Sequence, residues 1–127
     1  MKISVYNDTI FALNLLAEKN KEVIVFYSGG KDSLCVLDLC SKIFEKVVCV
    51  FMYFIPGLAC AEKQLQYARD KYGVEIKQYP HWVFVRSLIH VFCDNYYFDF
   101  PLKEIKLKDV YRMAREDTGI KIITQVR

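Results

Sequence analysis

Two stretches of the chain are apolar at every position, Val23–Tyr27 (VIVFY) and Val47–Ile55 (VVCVFMYFI), and around them apolar residues recur every three or four places. Short unbroken apolar runs rich in β-branched residues predict strands buried on both faces, and the 3.6-residue recurrences predict amphipathic helices. The pattern predicts a first helix, capped by Asn7 or Asp8 and running to about Glu18, with Phe11, Leu15 and Leu16 on one face. A strand follows over Glu22–Tyr27, a turn over Ser28–Lys31, a helix from Ser33 to about Phe44, and a second strand over Lys46–Phe54. After the break at Pro56-Gly57, Ala61, Leu65, Ala68 and Tyr72 form a helical stripe that Gly73 ends as a left-handed cap, and Val74–Tyr79 is a third, weaker strand. Trp82–Phe92 is predicted helical, with an irregular aromatic stretch after it to Pro101. Leu107, Val110, Tyr111 and Ala114 mark a last amphipathic helix ended by Gly119, before a fourth strand over Lys121–Thr124.

Apolar strands alternating with helices predict an α/β fold, a parallel sheet of about four to five strands with helices on both faces and right-handed crossovers. A length of 127 residues fits one domain over residues 1–127, and 54% hydrophobic with 26% charged residues excludes a disordered chain. The longest apolar run has nine residues, too few to span a bilayer, and the N-terminus shows no signal peptide, so the expectation is a soluble, cytoplasmic protein without a membrane partner. Because the chain stops at Arg127 directly after its fourth strand, the expectation is a domain incomplete at its C-terminus, completed by a homodimer or a partner chain.

Charge and cysteines narrow the picture a little further. The net charge of +3 is carried by residues 61–127, twelve basic against nine acidic, with six of each sign in residues 1–60. No basic stripe appears, which argues against nucleic acid and is compatible with a small anion. The five cysteines, Cys35, Cys40, Cys49, Cys60 and Cys93, are odd in number and lack a Cys-x-x-Cys pair, so neither a disulfide framework nor a zinc ribbon is expected. His90 and Cys93 have ligand-like spacing, but a site needs further ligands that the sequence does not mark. Cys35 and Cys40 read as core residues.

The chemistry concentrates in Ser28-Gly29-Gly30-Lys31-Asp32-Ser33, between a buried strand and a helix start. Two glycines permit positive φ and close approach of a ligand to the backbone. Unpaired N–H groups and the dipole of the helix start attract an anion, Ser28 and Ser33 offer hydroxyls, and Lys31 adds a full charge. This describes a phosphate or pyrophosphate cradle at the carboxyl end of the first strand, where ligands of open α/β sheets bind. It is not a Walker loop, whose glycine and Ser/Thr positions are Val25 and Asp32 here. A carboxylate within a phosphate cradle needs a bridging cation, so Asp32 is the candidate ligand of Mg²⁺. The plainer reading is an ordinary strand-to-helix turn with Ser33 as N-cap.

Val23 to Leu39 resembles the PP-loop signature of the adenine nucleotide α-hydrolase-like superfamily, and within it the chain is most similar to the phosphoadenosine phosphosulfate reductase family. Tyr53-Phe54-Ile55-Pro56-Gly57-Leu58 and Tyr79-Pro80-His81-Trp82 resemble stretches of its phage and prophage members. The resemblance implies a Rossmann-like domain in which Ser28, Gly29, Gly30, Lys31, Asp32 and Ser33 hold the phosphates of ATP or of phosphoadenosine phosphosulfate. The adenine would lie near Phe26, Tyr27 and Met52, Tyr53 and Phe54. It further implies Mg²⁺, cleavage of ATP between the α and β phosphates, and adenylyl or sulfur-related transfer with Lys31 and Asp32 as the catalytic pair. The chain departs from the family in three places. It has no C-terminal nucleophilic cysteine and no Cys-rich motif, so reductase chemistry is not implied and no iron–sulfur cluster is expected. Gln125-Val126-Arg127 stands where Gly-x-Arg is usual, leaving Arg127 as the candidate phosphate-binding arginine, and Ile55-Pro56-Gly57 replaces an Asp-Thr-Gly.

The remaining candidates carry weaker signals. Cys60, at a helix start beside the expected pocket, is either a reactive thiolate or incidental. His81 and Trp82 follow the third strand and either contact a substrate or pack the domain, and His90 reads as a structural histidine. Tyr96, Tyr97, Phe98 and Phe100 lack basic interleaving and read as a lid or a dimer surface rather than a nucleic-acid platform. Two functions stay open: an adenine-nucleotide-dependent enzyme, and a non-catalytic nucleotide-binding module or split half that needs a partner.

Overall fold

Val23, Ile24, Val25 and Phe26 have water on neither side, and the arrangement that covers both faces of such a strand is the one the chain adopts. The structure, a computed structural model, describes residues 2–83, 85 and 105–125. Their elements run α1 (Lys2–Lys19), β1 (Glu22–Phe26), α2 (Lys31–Ile43), β2 (Lys46–Tyr53), α3 (Ala59–Tyr72), β3 (Glu75–Pro80), α4 (Leu107–Thr118) and β4 (Ile123–Thr124). The four strands form one parallel sheet in the order β3-β2-β1-β4. This is the expected α/β, Rossmann-like class with four strands. No helix among the described residues is long and apolar enough to cross a membrane.

The two-residue period of the strands sorts the core. Val23, Val25, Tyr27 and Cys49 face α1, α2 and α3, packing with Leu13, Leu37, Cys40, Leu65 and Ala68. Ile24, Phe26, Val48 and Val50 face the other way, onto Val110 and Ala114 of α4. From β1 the chain steps outward through β2 to β3 with its helices on one face. It then returns past β1 to β4 with α4 on the opposite face, as connections of one hand require when the direction reverses. The reversal leaves a crevice at the carboxyl ends of β1 and β4, the switch point of such sheets.

Several expectations change. The first helix starts at Lys2, running through Asn7 and Asp8 rather than being capped by them, because the penalty of these residues inside a helix is only about 0.7 kcal/mol. Its docking stripe is Ile10, Leu13 and Ala17, while Phe11, Leu15 and Leu16 are exposed. Both sets satisfy helical spacing, and the smaller one fits closely against α2. The second helix begins at Lys31 with Gly30 as its N-cap, so Ser33 lies inside the first turn. Cys35 is exposed, not core, whereas Cys40 is buried. The fourth strand shortens to Ile123–Thr124. Gly73 and Gly119 end their helices in the left-handed conformation, as expected. Val85 N–H donates to His81 O at 3.1 Å, a first helical bond after β3. The rest of the predicted helix to Phe92, with His90, Cys93, the aromatic run through Phe100, and Arg127, lies outside the described residues.

Candidate functional site

The loop from Ser28 to Lys31 is held by its own side chains. Ser33 Oγ donates to Gly30 O at 2.9 Å, so its single proton is spent there. It therefore accepts from Ser28 N–H at 3.2 Å and from the Ser28 hydroxyl at 3.1 Å. Ser28 Oγ in turn accepts from Gly30 N–H at 3.4 Å. Ser33 is 4% exposed and acts as a pin beneath the loop, with both hydroxyl donors turned inward rather than offered at the rim. What faces outward is the first turn of α2. Gly30 gives it no side-chain cap, so the N–H groups there lack that satisfaction. Lys31 and Asp32 are exposed, and neither has an ion pair among the described residues.

The two glycines differ. Gly29 has φ +85°, the left-handed region, and a Cβ there would lie 3.2 Å from Gln64 Cβ of α3. Gly30 is extended at φ −82°, ψ 165°, where any residue fits. Only Gly29 uses the freedom that the sequence suggested for both. Its close approach to Gln64 sets the loop against α3, whose backbone also receives the Tyr27 hydroxyl at Gln64 O, 3.4 Å away.

Beside the loop opens a cleft of about 330 Å³ that collects side chains from all four strand ends. Phe26 and Ser28 come from β1, Met52 and Phe54 from β2, His81 from β3 and Gln125 from β4, with Ser33 at the floor of the loop. Strand parity places Phe26, Val50 and Met52 on the α4 side of the sheet; at the strand ends they line the cleft together with Tyr27 and Phe51 of the opposite parity. Tyr27 borders the cleft, but its ring is buried among Leu37, Leu65 and Ala68 on the opposite side. Tyr53 has the parity of Cys49 and does not line the cleft; its carbonyl accepts the His81 N–H at 2.9 Å. Of the predicted base-binding residues, the structure brings Phe26, Tyr27, Met52 and Phe54 together around the cleft, Tyr27 with its ring packed into the core, and leaves Tyr53 outside it.

The outer wall is aromatic. Phe54 stacks on His81 with ring centroids 4.6 Å apart and planes at 15°, and Trp82 continues the stack at 6.1 Å. Burial lowers the pKa of His81, and its Nδ1 accepts the Val83 N–H at 3.2 Å, so the neutral ring carries its proton on Nε2. The inner wall is Phe26, braced edge-on by Tyr111 at 5.1 Å and 89°. Such a cleft, apolar and flanked by a loop that offers the Lys31 ammonium and the first N–H groups of α2, can take a planar apolar group attached to an anion. Its volume, near the lower end of about 300–1,000 Å³ typical of ligand sites, leaves the anionic part outside along the loop.

Gln64, Tyr111 and Gln125 are the participants that residue patterns did not mark. Their signal was strand and helix parity at the switch point, readable only once the strand order is known. Cys60 is exposed on the first turn of α3 and does not line the cleft. Among the described residues no group of three His, Cys, Asp or Glu gathers to hold a metal ion, so a cation at Asp32 would be held by one carboxylate with its remaining ligands from a bound anion and water. Burial pushes the Cys49 thiol up to about 12. Iodoacetamide at pH 8 is therefore expected to label Cys35 and Cys60 in the folded protein well before Cys40 or Cys49. Peptide mass spectrometry checks this, and equal rates at Cys49 and Cys60 would contradict the burial of β2.

No protein-family model matches the chain, and no curated protein matches it.

Proposed function

We propose that this domain binds an adenine nucleotide with Mg²⁺, as a PP-loop protein of the phosphoadenosine phosphosulfate reductase type, and uses it in adenylyl or sulfur-related transfer. The observation that carries the reading is the junction of the Ser28–Ser33 loop with the strand-end cleft. A turn bearing Lys31 and the unpaired N–H groups of α2 stands at one end and a slot walled by Phe26, Met52 and Phe54 at the other. In this reading the base enters the slot and the phosphates run over Gly29 and Gly30 to the first turn of α2. Lys31 Nζ and the α2 N–H groups balance charge on the phosphates, and the pinned loop meets them without rearranging. Asp32 would hold Mg²⁺, and the ion would supply positive charge against a departing pyrophosphate.

A second reading, a nucleotide-binding module that acts only with a partner, is favoured by one positional observation. The charged pair Lys31 and Asp32 stands at the exposed rim, while the cleft is lined by aromatic, aliphatic and uncharged polar residues and neutral His81. Release of AMP or pyrophosphate in the presence of an oxygen acceptor separates the two readings.

The binding test is calorimetric titration with ATP, AMP and 3′-phosphoadenosine 5′-phosphate, each with and without Mg²⁺. Tighter ATP binding with Mg²⁺ is expected, and Asp32→Asn is expected to erase about tenfold of that gain by removing the anchoring charge. An Asp32→Asn protein with undiminished Mg²⁺ dependence would remove Asp32 from the site. Absence of binding by all three ligands would overturn the nucleotide reading.

A further inference from the structure

Gln125 follows β4 directly, and the pairing of Val25 with Thr124 puts it level with Phe26 at the switch point. Ile123 packs on the α4 face, so Gln125, two residues on, points to that same face, and it lines the cleft at the strand ends. There the Tyr111 hydroxyl donates to Gln125 Oε1. A glutamine amide has an accepting end and a donating end. With Tyr111 on the accepting end, Nε2 of the exposed Gln125 at the cleft's edge keeps its two hydrogens for water or a ligand. Tyr111 is itself fixed, its ring edge-on to Phe26 at 5.1 Å and its helix anchored by Val110 and Ala114.

We infer that Gln125 is a specificity-determining residue, donating from Nε2 to an acceptor atom on the edge of a purine base held against Phe26, and that Tyr111 is the positioning residue that sets the amide's orientation. The inference rests on the proposed nucleotide reading and adds to it the group that senses the base. The cleft's other oriented polar group makes the same demand. His81 accepts Val83 N–H on Nδ1 and so presents a donor on Nε2. A ring with acceptor nitrogens along its edge meets both. A hydrocarbon of the same size would leave both unpaired, and the cost of unpaired polar groups is what gives such a site its discrimination.

The test measures affinity for ATP and for inorganic tripolyphosphate, both with Mg²⁺, in four proteins: unaltered, Gln125→Leu, Tyr111→Phe and the double variant. Gln125→Leu is expected to weaken ATP binding about tenfold and leave tripolyphosphate unchanged. Tyr111→Phe is expected to weaken ATP about threefold when Gln125 is present and to have no effect when it is leucine, because it acts only through the amide. A purely structural role for Tyr111 would give the same loss in both backgrounds, and that result overturns the positioning assignment. If the unaltered protein binds ATP more tightly than tripolyphosphate while Gln125→Leu does so equally well, Gln125 does not read the base. If the unaltered protein binds ATP no better than tripolyphosphate, the base does not occupy the cleft, and the nucleotide reading and this inference fall together.

Discussion

Leu37→Ala is expected to lower the unfolding free energy by about 3 kcal/mol, seen as a lower urea midpoint with an unchanged slope. Leu37 is fully buried where α2 crosses the sheet, among Val23, Val25, Tyr27, Leu65 and Ala68. Three elements meet on this one side chain, so the surroundings have little room to collapse into the space left by the truncation, and the cavity adds to the lost transfer energy. Against a total of about 5–15 kcal/mol for a domain, that is a large fraction. The effect also reaches the loop. Leu37 lies one turn after Ser33 on the same buried face of α2, so the packing that holds Leu37 also holds the serine that pins Ser28 and Gly30. A loss below about 1 kcal/mol would mean that α2 does not pack on the sheet through this face.

The same residues show how far the chain could be read without its structure. The strands were legible because Val23–Phe26 and Val47–Val50 are apolar without alternation, a pattern with few other uses in a chain of this size. The Gly73 and Gly119 caps were legible because left-handed helix ends select glycine. The docking face of α1 is not legible in the sequence because Phe11-Leu15 and Leu13-Ala17 satisfy the same spacing, and only the shape of α2 decides between them. The turn proposed to bind an anion could be located from Ser28 to Ser33, but its internal hydrogen bonds could not. A hydroxyl at a rim and one folded inward have the same sequence. The resemblance puts Tyr27 and Tyr53 beside the base; Tyr27 borders the cleft with its ring packed into the core beneath it, and Tyr53 does not line it. The two-residue period gives the face of each ring, Phe26 toward α4 and Tyr27 toward α2 and α3, but the cleft at the strand ends takes residues of both parities. Gln125 and Tyr111 needed the strand order, which no local pattern carries.

Gly29→Val is expected to cost about 2 kcal/mol of stability and to abolish most of the proposed anion binding, a loss of more than tenfold in affinity for Mg²⁺-ATP. Two independent penalties fall on this position. At φ +85° a β-branched residue is strained whatever space it has. The space is also short, since a Cβ would stand 3.2 Å from Gln64 Cβ, an atom fixed to the α3 backbone that cannot swing aside like a side-chain tip. The chain relieves both by rotating the Ser28–Gly30 segment, which breaks the bonds from Ser28 N–H and Gly30 N–H that shape the turn. Gly30→Ala is the internal control. Its backbone is extended, and a Cβ would meet Ser28 Oγ at an ordinary 3.5 Å, so a change in stability within about 0.5 kcal/mol is expected. Thermal or urea unfolding of the two variants side by side separates the cause. Unequal losses locate the strain at Gly29 alone. Equal losses would mean that the loop takes a different path between β1 and α2, and the phosphate site built on it would have to be abandoned.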